Sequence, residues 1–251
     1  MELKTDGLIV RENNNVGEAD RFVQLLTRDA GLLRASARGA QKSKSRNSGV
    51  TRLLSYGRFT LHQGRSGGYI IGEVEPLHNF FDLNRDMERL SIAQYFCELC
   101  GVLAPREEPA DAMLRLMLLG LHHLNGDVYP PLLVKCVVEQ RMLLLGGYAP
   151  DLSGCARCGR TEAESFRLSP AEGNLLCAGC AAKTDGLPLS AGMLAALRHI
   201  HMSPVERAFR FRLPEPTLAA LAEVSERFLL HQLGRGFRTL DFYHSLQGFG
   251  L

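Results

Sequence analysis

No apolar run in this sequence reaches the roughly 20 residues that a membrane-spanning helix needs. The amino terminus also lacks the charged-then-apolar order of a secretory signal peptide. The seven cysteines are an odd number, and four of them form metal-type pairs, which fits a reducing compartment better than an oxidising one. We therefore expect a cytoplasmic protein with no membrane partner.

The sequence also lacks several of the short motifs that mark common catalytic centres. It contains no G-x-x-x-x-G-K-[ST] loop and no H-E-x-x-H pair. A zinc deaminase would need H-x-E followed by P-C-x-x-C, whereas Gly154 precedes Cys155 and Leu176 precedes Cys177. These absences predict that the protein is not an enzyme.

Acidic residues are missing from one long stretch of the amino-terminal part. Between positions 30 and 72 there is no acidic residue and there are eight basic ones: Arg34, Arg38, Lys42, Lys44, Arg46, Arg52, Arg58 and Arg65. Residues 1–80 have a net charge of +4 and the remaining residues −2. A basic segment attracts a polyanion. We predict that these eight residues bind nucleic acid, with an ordinary solvated loop as the alternative.

Five short strand-like stretches flank and interrupt this basic segment. They cover residues 8–10, 22–27, 32–37, 58–62 and 69–74, with turn residues between them. Five strands within about 75 residues indicate a small closed barrel, either an OB-fold, which we favour, or an SH3-like barrel. An OB-fold offers a face for single-stranded nucleic acid, on which Tyr56, Phe59 and Tyr69 would stack bases or else fill the barrel core.

The hydrophobic period changes from two to about 3.6 near residue 80, which predicts a helical domain over residues 79–251. Residues 132–145 are apolar on most sides and are expected to form a buried central helix. Residues 187–190 predict an entry turn with Ser190 as the N-cap of a helix to about residue 201. The last long helix is predicted at residues 214–232. The fold class is therefore multidomain α+β, with a barrel before a helical domain.

Two C-x-x-C pairs interrupt the helical domain with the spacing C-x2-C-x18-C-x2-C, which is typical of a structural zinc site. The predicted ligands are Cys155, Cys158, Cys177 and Cys180. Each pair is expected in a turn whose backbone amides donate to the sulfurs. Four thiolates leave no open position for a substrate water, so one Zn²⁺ per chain would brace a ribbon at residues 152–183. Disulfides or buried thiols are the alternatives.

Three further cysteines and two histidines are not expected to bind this metal. Cys97 and Cys100 form a third C-x-x-C pair inside a helix stripe, where core packing is favoured over a thiol-redox role. Cys136 lies in the predicted central helix. His199 and His201 stand two residues apart on a predicted helix and therefore face different directions.

Several stretches together resemble the bacterial RecO family of recombination mediators. They are residues 17–21 (GEADR), 27–31 (TRDAG), 37–46 (ARGAQKSKSR), 145–152 (LGGYAPDL) and 172–177 (EGNLLC). They occur in the family's order and span most of the chain. The chain departs from the family at Glu172, where a glycine is common, and at residues 53–56, where an apolar-Gln-Pro-aromatic stretch is frequent. We expect these departures to change only local turns.

The resemblance implies an OB-fold at residues 1–78, a helical domain after it and the zinc ribbon of many members. It also implies a nucleoid-associated protein that binds single- and double-stranded DNA, anneals complementary strands and acts with RecR and the single-strand binding protein to load RecA. That role is not enzymatic. The alternative is a zinc-ribbon interaction module that binds RNA or a transcription complex.

The resemblance further implies that the helical domain recognises the acidic carboxy-terminal tail of single-strand binding protein. A tail carboxylate needs a local basic and apolar pocket there, because the domain is slightly acidic overall. We expect this pocket near the helix that carries Lys135 and Arg141. The basic residues taken to lie at the domain surface are Lys135, Arg141, Arg198 and Arg207.

Overall fold

The computed structural model describes residues 2–13, 20–40, 48–64, 68–181 and 186–248. Within these ranges the amino-terminal part is a closed five-stranded barrel of β1 (Glu2–Asn13), β2 (Arg21–Thr27), β3 (Gly31–Ala37), β4 (Ser55–Gln63) and β5 (Tyr69–Asn79). The order around the barrel is β1-β2-β3-β5-β4, with β4 closing onto β1 and β3 parallel to β5. This is OB-like topology, so the predicted barrel is confirmed.

The barrel strands bury side chains on both of their faces. Ile9, Leu25 and Phe59 are fully buried inside the barrel. Leu8 and Leu26 point the opposite way, because successive side chains of a strand alternate, and they are buried in the core of the helical body. The barrel and the body therefore share a continuous packed contact.

Within the described residues, the body contains a short 3₁₀ helix (Phe81–Arg85) and six α-helices: α1 (Met87–Leu103), α2 (Asp111–Asn125), α3 (Pro131–Leu145), α4 (Ala191–Met202), α5 (Glu215–Leu233) and α6 (Arg238–Gly248). Helix α3 contacts α1, α2, α4 and α5, which confirms the predicted central helix. In the same part of the chain, no helix is both long and apolar enough to cross a membrane.

The sequence did not predict α6, because only Leu240 and Tyr243 of that helix are buried. Hydrogen bonds complete its attachment to the body. The backbone N–H and the hydroxyl of Thr239 both donate to Glu98 on α1, at 3.1 and 2.6 Å. A short helix held in this way lacks the long apolar stripe that periodicity detects.

The central helix α3 carries charged side chains into the core. Lys135 is 1% exposed, so the expectation of a surface lysine is wrong. Its Nζ lies 2.8 Å from a Glu139 carboxylate oxygen and 2.7 Å from one of Glu226 on α5. Burial alone would lower the pKa of Lys135, but the two carboxylates raise it overall. These charged side chains are tolerated in the core because each charge has a partner of opposite sign.

The cysteine-containing insert folds as a three-stranded sheet of β6 (Ser165–Leu168), β7 (Leu175–Cys177) and β8 (Leu187–Ser190), in the order β7-β6-β8. The predicted entry turn at residues 187–190 is thus a strand, since it pairs antiparallel with β6. Ser190 is the N-cap of α4 as predicted, because its hydroxyl accepts from Met193 N–H at 3.3 Å. Phe166 and Leu189 belong to the core of the body, so the ribbon is packed onto the helices.

A backbone joint fixes the barrel to the body at the start of β3. Leu32 N–H donates to Pro105 O at 2.8 Å, and residues 31 and 106 form an antiparallel bridge. Gly31 has a φ of +65°, and a Cβ there would overlap Pro105 O and lie 2.7 Å from Glu108 O. Glycine is required at this position both for its backbone conformation and for the close approach of the body.

We expect Gly31→Ala to lower the free energy of unfolding by about 2–4 kcal/mol, because left-handed strain and a steric overlap add. Gly234→Ala is the matched control, since Gly234 has a φ of +61° and no atom within 4 Å of the Cβ position. In the control, only the backbone strain should lower the free energy of unfolding, by about 1 kcal/mol. Urea unfolding measures both values. Equal losses would show that the close approach at Gly31 does not matter for stability.

Candidate nucleic-acid interface and metal site

Strands β1, β2 and β3 present an outer face on which the register places side chains in two rows. The first row is Arg11, Gln24 and Arg34, and the second is Asn13, Phe22 and Ser36. Residues two apart on a strand are about 6.7 Å apart, so the two rows are adjacent on one face. Phe22 is 42% exposed. An exposed ring among polar side chains is typical of a platform for unpaired bases.

This outer face forms one side of an open groove of about 1300 Å³. Four arginines line the groove: Arg11, Arg34, Arg38 and Arg106. Among the described residues, none of these arginines forms an ion pair with a carboxylate. Two carboxylates, Asp20 and Glu107, also line the groove, and Asp20 accepts a hydrogen bond from Gly39 N–H at 2.8 Å. The balance is positive, which suits a polyanion.

The eight basic residues predicted to bind nucleic acid do not all lie together. Arg34 and Arg38 line the groove, whereas Arg52 and Arg58 do not. Arg58 lies on β4, where its Nε is 2.9 Å from Asp6, and this hydrogen-bonded carboxylate raises the pKa of the guanidinium. The remaining four, Lys42, Lys44, Arg46 and Arg65, lie outside the described residues. The structure therefore brings together two of the four that it describes.

The three aromatic residues considered for base stacking have different environments. Phe59 is fully buried in the barrel core. Tyr56 is half-buried and packs against the core of the body. Tyr69 lines the groove. Sequence reasoning missed Phe22, although the inward positions of Val23 and Leu25 would have placed it on the outer face by alternation.

Arg11 and Arg106 were also missed, for a different reason. Each stands outside the stretch that lacks acidic residues. Arg11 reaches the groove because β1 continues past the predicted strand at residues 8–10. Arg106 comes from the connector between α1 and α2, and no local sequence signal links this connector to the barrel. Only tertiary packing places both residues beside Arg34.

The four predicted metal ligands converge at one point. The sulfurs of Cys155, Cys158, Cys177 and Cys180 all lie within 4.8 Å of one another. Cys158 Sγ is 3.7 Å from Cys177 Sγ. Four metal–sulfur bonds of about 2.3 Å in a tetrahedron place the sulfurs about 3.8 Å apart. The cysteines are free thiols and not disulfides, so the arrangement fits a bound metal ion.

Backbone groups prepare these cysteines for a metal. The N–H of Cys177 donates to the Cys155 sulfur, and amides of the first turn add to this effect, so the pKa of Cys155 is lowered to about 6. Gly159 follows the first pair with a φ of +72° and donates its N–H to Cys155 O at 2.8 Å. Cys180 N–H donates to Cys177 O at 2.9 Å. The first turn therefore favours the thiolate form of Cys155, the form of cysteine that binds metals, whereas hydrogen bonds with the sulfurs of Cys177 and Cys158 raise the pKa of Cys180 to about 12.

Two of the four basic residues predicted on the surface of the body bind its own backbone. Arg141 donates to carbonyl oxygens at the end of α4, those of Ile200, His201 and Ser203. Arg198 donates to carbonyl oxygens of the ribbon, those of Leu152, Ser153 and Thr161. Lys135 is buried, and only Arg207 of the four is exposed. Lys135 therefore supplies no exposed charge to the predicted tail pocket, and the place of that pocket stays a prediction.

The two histidines that were set aside as ligands have other contacts. His199 Nε2 lies 3.0 Å from Arg207 O, and His201 Nε2 lies 3.0 Å from Gln140 Oε1. Burial, with a smaller effect of Arg141, lowers the pKa of His201 to about 4. His201 is therefore neutral at physiological pH. Neither histidine belongs to the cysteine cluster.

One pattern of catalytic type occurs in the barrel. Residues 64–68 have the form G-x-S-x-G. A nucleophile elbow needs a turn from a strand into a helix. These residues instead connect the antiparallel strands β4 and β5, and residues 65–67 lie outside the described part of the chain. The pattern therefore lacks the context that would support a catalytic serine.

Comparisons with known proteins agree with this architecture. A family model described as "Recombination protein O N terminal" matches residues 1–80, and "Recombination protein O C terminal" matches residues 84–241. A relative from Acetivibrio thermocellus, named DNA repair protein RecO, is 33% identical over 245 residues that cover 97% of both chains. A relative of the same name from Desulforudis audaxviator is 32% identical, and the match covers 98% of this chain and 97% of the relative. Another, from a Roseiflexus species, is 34% identical, and the match covers 95% of this chain and 84% of the relative.

We expect three cysteines outside the cluster to resist iodoacetamide in the folded protein at neutral pH. Burial raises the pKa of Cys100 and Cys136 to about 12 and that of Cys97 well above its ordinary value. Mass spectrometry should find these thiols labelled only after unfolding. Exposed Cys158 serves as the internal control and should react once a chelator is added. Rapid labelling of Cys97 or Cys100 in the folded chain would instead support a thiol-redox role.

Proposed function

The chain belongs to the RecO family of DNA repair proteins, and we propose that it acts as a recombination mediator. In this role it binds single- and double-stranded DNA, anneals complementary strands and helps to load RecA onto DNA coated with single-strand binding protein. The role is not enzymatic, because the DNA is held and transferred without a change of covalent bonds.

One observation carries the proposal, namely the arginine-lined groove beside Phe22 on the barrel. Arg11 and Arg34 stand in the row next to Phe22 and would neutralise phosphates. The rings of Phe22 and Tyr69 would stack on bases. Arginine donates to phosphate oxygens in any sequence context, so binding would depend strongly on salt and little on base sequence.

Annealing requires the protein to bring two DNA strands together, whereas binding involves only one. Two DNA strands repel each other, and a cationic surface lowers that repulsion. The proposed surface combines the groove arginines with the basic residues Lys42, Lys44, Arg46 and Arg65, and with Arg52 and Arg58 as further contacts to DNA. Competition between DNA and RNA distinguishes this role from that of a module that binds RNA or a transcription complex.

The partners RecR and the tail of single-strand binding protein also form part of the proposal. Membership of the family supports both, and the body is the part of the chain assigned to the tail. Its site needs exposed basic and apolar groups, which the buried Lys135 does not supply.

We further propose that the metal is one structural Zn²⁺ ion. Cys155, Cys158, Cys177 and Cys180 would hold it, and a shell of four thiolates is the usual closed site for zinc. The ion would supply no reaction chemistry. It would fix the two cysteine turns and therefore β7, which ends at Cys177.

We expect Phe22→Ala to weaken binding of an oligo-dT strand by about 5- to 100-fold, the usual effect of removing one base-stacking ring. The wild-type chain should neutralise about four to six phosphates, with a log–log salt slope of about −3 to −4. Phe22→Ala should leave this slope unchanged, because phenylalanine carries no charge. Fluorescence anisotropy at several salt concentrations measures both quantities.

Phe242→Ala is the matched control for this experiment. Phe242 lies on α6 and is also 42% exposed, but it does not line the groove. Its replacement should leave DNA binding unchanged. If both variants bind DNA as the wild type does, the strand does not stack on Phe22. If RNA competes as well as DNA, the module that binds RNA becomes the better reading.

We expect freshly purified protein to contain about one zinc ion per chain, and Cys155→Ser to contain almost none. Hydrogen exchange should then lose protection across residues 152–177. The helical core should remain folded but less stable, because Phe166 and Leu189 pack against it. Cys136→Ala is the control, since Cys136 is buried outside the cluster and should leave the zinc content unchanged. Less than about half an equivalent in the wild type would contradict a zinc site.

A further inference from the structure

The connector between α1 and α2, residues 104–110, lies along the barrel as if it extended the sheet. β5 pairs with β3 at Ala35 and Ser36. The connector bonds to the same strand at Leu32, whose N–H donates to Pro105 O at 2.8 Å. Ala110 N–H donates to Arg28 O, also at 2.8 Å. Because backbone groups make both bonds, the connector keeps a fixed position relative to the groove.

Two charged side chains of this connector form the body side of the groove. Arg106 and Glu107 are both exposed and line the groove with Arg34. Within the described part of the chain, Arg106 has no carboxylate partner. Glu107 has a φ of +61°, which is uncommon for a residue with a Cβ.

We propose that the strand-binding site is composite, with Arg106 of the helical body contacting a phosphate of the strand that lies on the barrel. The inference rests on the proposed function of DNA binding. Arginine supplies paired N–H donors in the geometry that a phosphate accepts. Glu107 has the opposite effect, since its carboxylate repels the same phosphates and limits affinity. A single strand would thus touch the barrel and the body at once.

A chain-like polyanion fits this groove better than a small anion does. The four arginines come from separate places, namely β1, β3, the residue after β3 and the connector. Arg11 and Arg34 stand on either side of Gln24, on strands about 9.6 Å apart, and Arg38 lies four residues beyond Arg34, so their backbone positions are spread out along the groove. The aromatic rings of Phe22 and Tyr69 lie along the same groove, and a free phosphate would not use them.

The test uses full-length variants and the binding of oligo-dT at several salt concentrations. We expect Arg106→Ala to weaken binding about three- to tenfold and to make the log–log salt slope shallower by about 0.7, the value for one phosphate contact. We expect Glu107→Gln to tighten binding, because it removes a like charge and keeps the side-chain shape. Arg34→Ala reports on the barrel side of the groove, and Arg227→Ala is the charge control.

Arg227 lies on α5, is paired with Glu223 and does not line the groove, so its loss changes the net charge and removes one exposed ion pair away from the groove. If Arg106→Ala behaves like Arg227→Ala while Arg34→Ala weakens binding, the composite site is wrong and the proposed function stands. If Arg34→Ala is also without effect, the groove is not the DNA site. Inorganic phosphate that competes at micromolar concentration would favour a small anion instead. Arg106→Gln repeats the test if the alanine variant melts at a lower temperature than the wild type.

Discussion

The arrangement of this protein depends on a close contact between two backbones at Gly31. The carbonyl of Pro105 occupies the space where a side chain of residue 31 would stand. This approach joins the connector to β3 and lets Leu8 and Leu26 of the barrel enter the core of the body. The groove, with walls from both parts, exists because the joint fixes them in place. Without it, the barrel face would be an open surface with arginines on one side only.

Whether an arginine is already paired decides what it does here. Arg141 and Arg198 donate to backbone carbonyls, so these residues stabilise the fold. The groove arginines have no such partners among the described residues, and their charge is open to a ligand. A count of basic residues along the sequence does not separate these two roles. Lys135 is a further example, since its charge is paired with Glu139 and Glu226 inside the core.

The cysteine ribbon is fixed to the body in two ways. Arg198 on α4 donates a hydrogen bond to the carbonyl oxygen of Leu152 at the start of the ribbon. Phe166 and Leu189 of the ribbon pack into the helical core. A metal at the cysteines would therefore brace a segment whose other side is already anchored. This explains why an insert with strands of three or four residues can be ordered, since such short strands are marginal by themselves.

The sequence by itself determined the local features: five strands, a buried central helix, the N-cap at Ser190 and the four cysteines that meet at one point. Each has a short-range cause, such as hydrophobic period, capping or ligand spacing, and local causes are visible in a single sequence. Tertiary structure alone decided which charged residues are buried, which arginines line the groove and that Arg106 joins them. These outcomes depend on contacts between distant segments, and β3 meets the connector only because folding brings Gly31 and Pro105 together.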